Sequence, residues 1–267
     1  MRFLATTVLT SILIVTGCSS TTLNSTTGVN RKQFLMVSEA EINNLSAQSY
    51  SQLVTQARSQ GALNTNMAQK ARLDRIANRL IPQVRVLRPE AASWKWEVNL
   101  IQSNQLNAFC APGGKIMFYT GIIDRLKLTD DEIAAIMGHE MAHALREHGR
   151  ENVSRAYAQQ AGLSILASAV GMTEGQAQLA QLVSQVGISL PNNRTQESEA
   201  DVLGLELMAR AGYHPQASIT LWQKMIAANG SGSAELLSTH PNPANRIQSL
   251  KLLQPKVMPL YLRAAKF

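Results

Sequence analysis

The chain of 267 residues contains only two cysteines, Cys18 and Cys110, which limits how its fold can be stabilised. Cys18 follows a short apolar stretch at the amino terminus and is predicted below to carry lipid, which leaves Cys110 without a partner in the chain. A disulfide scaffold is therefore excluded, and the fold must depend on its core. About 250 residues follow Gly17, which is enough for one sizeable core.

Long apolar runs and nucleic-acid-binding motifs are also missing. The apolar stretches before Cys18 and over 161–171 are both shorter than the roughly 20 residues that a membrane-spanning helix needs. The net charge is +7, or +6 once Arg2 is removed, and no nucleic-acid motif accompanies it. This charge fits a solvated surface, with attraction to anionic lipid or acidic substrates as the alternative. We find no internal repeat and no second domain.

The amino terminus has the pattern of a secretory signal: a positive charge, a short apolar core and small residues before Cys18. The segment Val15-Thr16-Gly17-Cys18 resembles a bacterial lipobox, in which the cysteine becomes the lipidated first residue. An ordinary signal peptide with an incidental cysteine is the alternative. Ser19 in the next position resembles outer-membrane sorting in Gram-negative bacteria. We predict a lipoprotein signal peptide over 1–17, a lipidated flexible tether over 18–37 and one domain over 38–267.

The pattern of the remaining chain predicts an α+β fold, which is a mainly helical single domain with a small β-sheet or hairpin beside one central helix. Capping boxes at Ser38–Glu41 and Thr129–Glu132 each open a helix. Alternating residues predict a strand over 94–100, and Asn107–Tyr119 reads as two short strands around a turn. Further helices are predicted over 66–81, from Thr129 to about His148, over 150–188 as a hairpin, and over 196–211.

The central helix contains His139-Glu140-Met141-Ala142-His143, the HExxH pattern of zinc peptidases. His139 and His143 lie one helical turn apart on the same face, where two imidazoles can hold one tetrahedral ion. Glu140 lies beside them and can take a proton from a metal-bound water. A chance match is the alternative, and the helical context argues against it.

A catalytic zinc usually takes three protein ligands, so a third ligand must lie elsewhere. In a continuous helix His148 would point away from His143. The pattern HExxHxxGxxH also fails, because Arg146 and Gly149 stand where glycine and the third histidine are needed. A carboxylate on another helix is the remaining source.

Three carboxylates, Glu197, Glu199 and Asp201, lie on the predicted helix 196–211. Glu197 and Asp201 are one turn apart on one face, whereas Glu199 is about 200° from Glu197. One face therefore offers a ligand and an acceptor for the N–H of a ligating histidine. Spacing leaves three options open: Glu197 as ligand with Asp201 behind it, the reverse, or a plain charged surface.

Together these motifs resemble the HtpX/CaaX-prenyl-protease family of gluzincin metallopeptidases, over roughly 65–255 and chiefly its periplasmic lipoprotein members. The matching features are HExxH, the ExxxD of Glu197 and Asp201, Asn107-Ala108-Phe109 with Pro112-Gly113-Gly114, and His240-Pro241 followed by Arg246. Membrane spans and helical repeats of other members are missing, so their prenyl-peptide chemistry and repeat-mediated partner binding are not carried over. The resemblance implies that Glu197 is the third ligand and that Asp201 supports the site.

The resemblance further implies a zinc endopeptidase with one Zn²⁺ per chain held by His139, His143 and Glu197, and with Glu140 as general base. His240 is a candidate oxyanion donor or latent ligand, with a helix cap as the alternative. We expect an outer-membrane lipoprotein that faces the periplasm and degrades misfolded or unassembled envelope proteins. A chaperone-like outer-membrane assembly factor with latent or no proteolysis is the alternative. Polypeptide substrates, the membrane and outer-membrane assembly machinery are the expected partners.

The Asn107–Tyr119 segment is the second candidate functional element, because an exposed strand edge can bind an extended substrate through its backbone. An ordinary core hairpin is the alternative. Cys110 is expected to be a buried small hydrophobic residue, with ligation in a latent state as the alternative. The residues expected to contact substrate are Asn107, Ala108, Phe109, Gly113 and Gly114, the two glycines permitting close backbone approach.

Overall fold

The computed structural model describes residues 18–23, 26–168, 192–229, 240 and 243–265. It has the predicted α+β architecture, with a small sheet beside a set of packed helices. The strands are β1 (Cys18–Ser19), β2 (Gln33–Phe34), β3 (Glu97–Ile101), β4 (Ala108–Ala111) and β5 (Lys115–Tyr119). The helices are α1 (Glu39–Ser59), α2 (Met67–Leu80), α3 (Thr120–Arg125), α4 (Asp130–Leu145), α5 (His148–Ser168), α6 (Arg194–Arg210), α7 (Ala217–Asn229) and α8 (Pro243–Arg263).

Helix α4 is buried along its length and forms the centre of the main core with α6. The two helices meet at glycines: a Cβ on Gly204 would lie 2.7 Å from the backbone nitrogen of His139 and 2.8 Å from its Cα. A Cβ on Gly138 would lie 2.9 Å from the carbonyl oxygen of Gly204. The backbones are therefore in direct contact, which brings the HExxH helix against the helix that carries ExxxD.

The three-stranded sheet has the order β3-β5-β4, with β3 parallel and β4 antiparallel to β5. The predicted hairpin is confirmed, and it places β4 at an edge of the sheet beside α4. Its turn requires glycine, because Gly113 and Gly114 have φ angles of 79° and 83°. A Cβ on Gly114 would also lie 2.8 Å from the Trp96 ring. These glycines thus serve the turn, and Gly114 is covered by Trp96 instead of being open to a substrate.

Several residues of the segment predicted to be a flexible tether pack on the domain. Strand β1 pairs with β2, and Gln33 is fully buried with its amide donating to the carbonyl oxygen of Arg146 at 2.5 Å. The Thr27 hydroxyl donates to Glu206 at 2.7 Å. These polar side chains hydrogen-bond to residues of the domain, and polar composition alone does not distinguish such partners from water.

Two sequence predictions fall largely outside the described residues. The signal peptide over 1–17 lies outside them, as does the part of the predicted 150–188 hairpin beyond Ser168. Among the helices that are described, none is both long and apolar enough to cross a bilayer.

Candidate metal centre

Helix α4 ends earlier than predicted, and this changes the direction of His148. A capping box at Thr129 starts the helix, which ends at Leu145 and not at about His148. Glu147 then adopts a left-handed φ of 51°, and α5 begins at His148. The Glu147 carboxylate is held by Arg88 at 2.8 Å and by Arg150 at 2.7 Å. The break turns the chain, so the extrapolation along one continuous helix does not apply to His148.

Four buried side chains converge at one point: His139 and His143 of α4, Glu197 of α6 and His240, which precedes α8. Their candidate donor atoms all lie within 4.8 Å of one another. The Nε2 atoms of His139 and His143 are 3.1 Å apart, and Nδ1 of His240 lies 2.8 Å from Glu197 Oε1. The structure therefore brings together the three predicted ligands and the fourth candidate.

The chemistry of this cluster fits a metal ion. Imidazole nitrogens and a carboxylate oxygen are the donor set that zinc takes in proteins. Two imidazole nitrogens that face each other at 3.1 Å cannot both present lone pairs without a proton or a cation between them. One cation at the point of convergence would satisfy the lone pairs of His139, His143 and Glu197 together. No second cluster of this kind occurs in the part of the chain that the structure describes.

Glu140 presents a free acceptor beside the cluster. Its Oε1 atom is buried, has no hydrogen-bond partner among the described residues and lies 3.4 Å from His240 Nε2. Burial raises the pKa of Glu140, against the opposing effects of His240 and His139. A buried carboxylate with an unused oxygen is able to accept a proton from a water held at the cluster.

Asp201 and Arg246 support the opposite side of His139. Asp201 Oδ1 lies 3.2 Å from His139 Nδ1, and Arg246 donates to Asp201 Oδ2 at 2.7 Å. The Arg246 guanidinium also pairs with Glu197 Oε2 at 2.6 Å and stacks 3.7 Å from the centre of the Trp222 ring. Arg246 therefore fixes both carboxylates that face the cluster, a role that the sequence motif alone did not reveal.

The charges of the cluster are strongly coupled. Burial and Arg246 oppose a charge on His139, but hydrogen bonds to Asp201 and Glu197 outweigh them and raise the pKa of His139 to about 9. Burial lowers the pKa of His143 well below its usual range. Burial would raise the pKa of Glu197, but the neighbouring histidines hold it far below its usual range, so this residue is a carboxylate.

Two residues that sequence reasoning set aside lie directly behind His143. His148 Nδ1 is 2.8 Å from His143 Nδ1, and His148 Nε2 is 3.0 Å from Glu199 Oε2. Burial lowers the pKa of His148. The 200° offset of Glu199 from Glu197 places it on another face of α6, but the offset alone did not indicate what Glu199 contacts there.

Of the predicted substrate residues, Ala108 and Phe109 lie on β4, which packs against α4, whereas Asn107 precedes β4 and Gly113 and Gly114 lie in the turn after it. Asn107 and Ala108 are buried, and Phe109 is half-buried with its ring 6.4 Å from that of Tyr50. Cys110 is buried outside the ligand cluster, as expected for a small hydrophobic residue. Burial raises the pKa of its thiol well above the usual range, and the nearby Glu140 adds to this effect.

Comparison with known proteins decides the family. The model of peptidase family M48 matches residues 67–254. The chain belongs to this family. Among the similar proteins of this M48 chain, the mitochondrial metalloendopeptidase OMA1 of Schizosaccharomyces pombe is 35% identical over 61% of the chain and 48% of the relative. Metalloprotease LoiP of Escherichia coli K12 is 27% identical over 89% of the chain and 91% of the relative.

A third relative is the beta-barrel assembly-enhancing protease of Escherichia coli O157:H7, which is 25% identical over 62% of the chain and 36% of its own length. The M48 chain thus spans about half the length, or less, of the OMA1 proteins that it matches, and nearly all of LoiP. The match runs from the start of α2 into α8 and includes every residue of the cluster.

Proposed function

We propose that this M48 chain is a zinc-dependent endopeptidase. The observation that carries the proposal is the convergence of His139, His143 and Glu197 beside the unused oxygen of Glu140. When bound there, zinc supplies a water of near-neutral pKa and polarises the scissile carbonyl. The remaining steps belong to the protein's own side chains.

Glu140 acts as general base and acid. Its free Oε1 accepts the proton of the attacking water, and the same carboxyl passes that proton to the leaving amine. Asp201 accepts the Nδ1–H of His139, so the lone pair of His139 Nε2 points into the cluster. Glu197 is the third ligand, in keeping with its contacts to His139 and His143.

His240 would control whether water can reach a bound zinc in this proposal. Its Nδ1 lies among the ligand atoms, whereas a catalytic zinc needs one position open for water. We infer that His240 closes a latent state and must withdraw for hydrolysis, its Nε2 then serving as a donor to the oxyanion. This position favours the latent ligand over a simple helix cap.

The substrate binds along the outer edge of β4. The amide of Tyr119 donates to the carbonyl of Asn107 at 3.2 Å, so alternate β4 residues face β5 and the backbone groups of Ala108 and Cys110 face outward. The Ala108 amide donates a hydrogen bond to Asn107 Oδ1 at 2.9 Å, so it is already engaged. Within the described residues, the carbonyls of Ala108 and Cys110 and the amide of Cys110 have no backbone partner, and no other described strand pairs with that edge, so we expect these groups to bind an extended peptide.

Backbone N-methylation tests this edge. A casein-derived peptide that the enzyme cleaves is made with one N-methyl group at each successive position near the scissile bond. Strand pairing predicts that every second N-methyl group abolishes cleavage while its neighbours are tolerated, because only alternate substrate amides face β4. A loss that does not alternate would refute the pairing, and the neighbouring positions serve as matched controls.

The biological role that we propose is quality control of misfolded or unassembled envelope proteins, by a lipoprotein anchored through Cys18 to the outer membrane and facing the periplasm. The lipobox-like segment supports the anchor, and membership of a peptidase family supports the proteolysis. An assembly factor with latent proteolysis is the second candidate, favoured by His240 within the cluster and by the name of the third relative. Full rescue of an envelope-stress phenotype by Glu140→Gln would favour the second candidate.

Chelation tests the enzymatic proposal. We expect the purified protein to cleave casein, to lose cleavage in EDTA and to regain it with zinc. His139→Ala should not regain it, because one of two imidazole ligands is gone. The proposal would be refuted if the wild-type protein still cleaved casein in EDTA and the His139→Ala variant cleaved it as well.

A further inference from the structure

We propose that His148 and Glu199 are positioning residues for zinc, acting as a hydrogen-bonded relay that fixes the orientation of His143. The inference rests on the proposed zinc site and adds two residues to it. Of the three carboxylates on the 197–201 segment, Glu197 belongs to the ligand cluster and Asp201 contacts its member His139, whereas Glu199 contacts His148. His148 joins this carboxylate to the cluster, through 2.8 Å to His143 and 3.0 Å to Glu199.

The relay is buried and rigidly held. His148 is fully inaccessible to solvent, and its position follows from the left-handed Glu147 between α4 and α5. Arg31 Nε donates to Glu199 Oε1 at 2.7 Å, and Arg146 donates to Glu199 Oε2 at 3.1 Å. With both of its oxygens engaged, the Glu199 carboxylate is a fixed anchor and not a mobile surface charge.

The proton positions follow from metal binding. His143 Nε2 faces the cluster, so it must present a lone pair, and its remaining proton is then on Nδ1. That N–H points at His148 Nδ1, which must therefore accept. His148 then carries its own proton on Nε2 and donates it to Glu199 Oε2. Only this arrangement satisfies every atom of the relay while leaving His143 able to bind a cation.

The two ligand histidines of α4 are thus supported by the same helix in two ways. His139 contacts Asp201 directly, whereas His143 reaches Glu199 through His148. Glu197 lies between these carboxylates in sequence as the third ligand. Helix α6 therefore positions all three proposed ligands. Because Glu199 lies about 200° around α6 from Glu197, it reaches the side of His143 that faces away from the cluster. Carboxylates that accept from ligating histidines raise ligand basicity and fix the ring.

The test measures the zinc dissociation constant by competition with a chelator. His148→Leu removes the acceptor and the donor, and should weaken zinc binding about 10- to 100-fold. His148→Asn places Oδ1 where Nδ1 of His148 lies, so it keeps the acceptor for His143 and should restore part of the affinity. Equal losses in both variants would overturn the relay, because side-chain packing would then explain the effect.

A double-mutant cycle tests whether Glu199 acts through His148. Glu199→Gln should weaken zinc binding in the wild type and add little in His148→Leu, whereas Asp201→Asn should add its full effect because it acts on His139. Glu151→Gln is the matched control: it removes a carboxylate from the same Arg31 but makes no hydrogen bond to His148, so it should lower zinc affinity less than Glu199→Gln does. Additive losses for Glu199 and His148 would overturn the relay.

The outcomes separate the relay from the site on which it rests. A wild-type protein that binds no zinc overturns the proposed metal site and the relay with it. A wild-type protein that binds zinc, with His148→Leu binding equally well, overturns the relay alone. Unfolding midpoints of the zinc-free variants show whether any of them fails to fold, and ¹⁵N shifts of the zinc-loaded protein should report His148 protonated on Nε2.

Discussion

Replacing Gly204 with alanine is expected to weaken the metal site without altering any residue of the site. The added Cβ would lie 2.7 Å from the His139 nitrogen and 2.8 Å from its Cα, whereas ordinary contacts begin at 3.4 Å. These neighbours are backbone atoms of α4, so α4 and α6 must separate by about 0.7 Å, although metal–ligand distances tolerate only about 0.2 Å. Overpacking of this kind costs about 1–3 kcal/mol.

Zinc binding needs the two helices together, so this strain should weaken the zinc affinity about 5- to 150-fold, as 1–3 kcal/mol implies. The assay is chelator competition, beside thermal unfolding of the zinc-free protein. Gly149→Ala is the matched control. A Cβ at position 149 meets nothing within 4 Å, and alanine favours a helix such as α5 more than glycine does. Wild-type zinc affinity and stability in Gly204→Ala would refute the reasoning.

Two further predictions concern the stability of the fold in acid and the different roles of Glu197 and Asp201. Burial opposes a charge on Glu151, but hydrogen bonds from Arg31, Gln33 and Gln196 outweigh it and lower its pKa from 4.5 to about 2. This carboxylate therefore stabilises the fold by at most about 3 kcal/mol above pH 4.5, and this contribution is lost as the pH falls to 2. Glu151→Gln should make the free energy of unfolding in urea depend less on pH over that range. A pH dependence equal to that of the wild type would contradict the assignment. Glu197→Ala should lose bound metal in elemental analysis while Asp201→Ala retains more of it, and the opposite order would mean that the two roles are reversed.

The proposed ligands could be proposed from the sequence because they lie on regular helices, where residues one turn apart share a face. His139 and His143 share a helix face by spacing alone, and Glu197 with Asp201 share another. Choosing Glu197 over Asp201 as ligand required the family resemblance, and the structure places Glu197 in the cluster and Asp201 behind His139. Residues that act through regular helices are thus predictable one helix at a time.

The relay and the packed amino-terminal segment were not predictable for a different reason. His148 depends on a left-handed Glu147, and a non-glycine residue in that conformation leaves no mark in the sequence. Arg31 and Gln33 were assigned to a flexible tether because the sequence does not show whether a polar residue hydrogen-bonds to water or to a buried group of the domain. Their partners, Glu199 and Arg146, lie more than a hundred residues away, which local patterns do not report.

The central claim is that Glu140 is the base at a zinc site built by His139, His143 and Glu197. The most direct test is to measure zinc content and casein cleavage on the same preparation of Glu140→Gln. The amide keeps the shape of the side chain but cannot take a proton, and Glu140 is not among the ligands. We therefore expect one zinc per chain and no cleavage, whereas cleavage by the zinc-loaded variant at the wild-type rate would contradict the account.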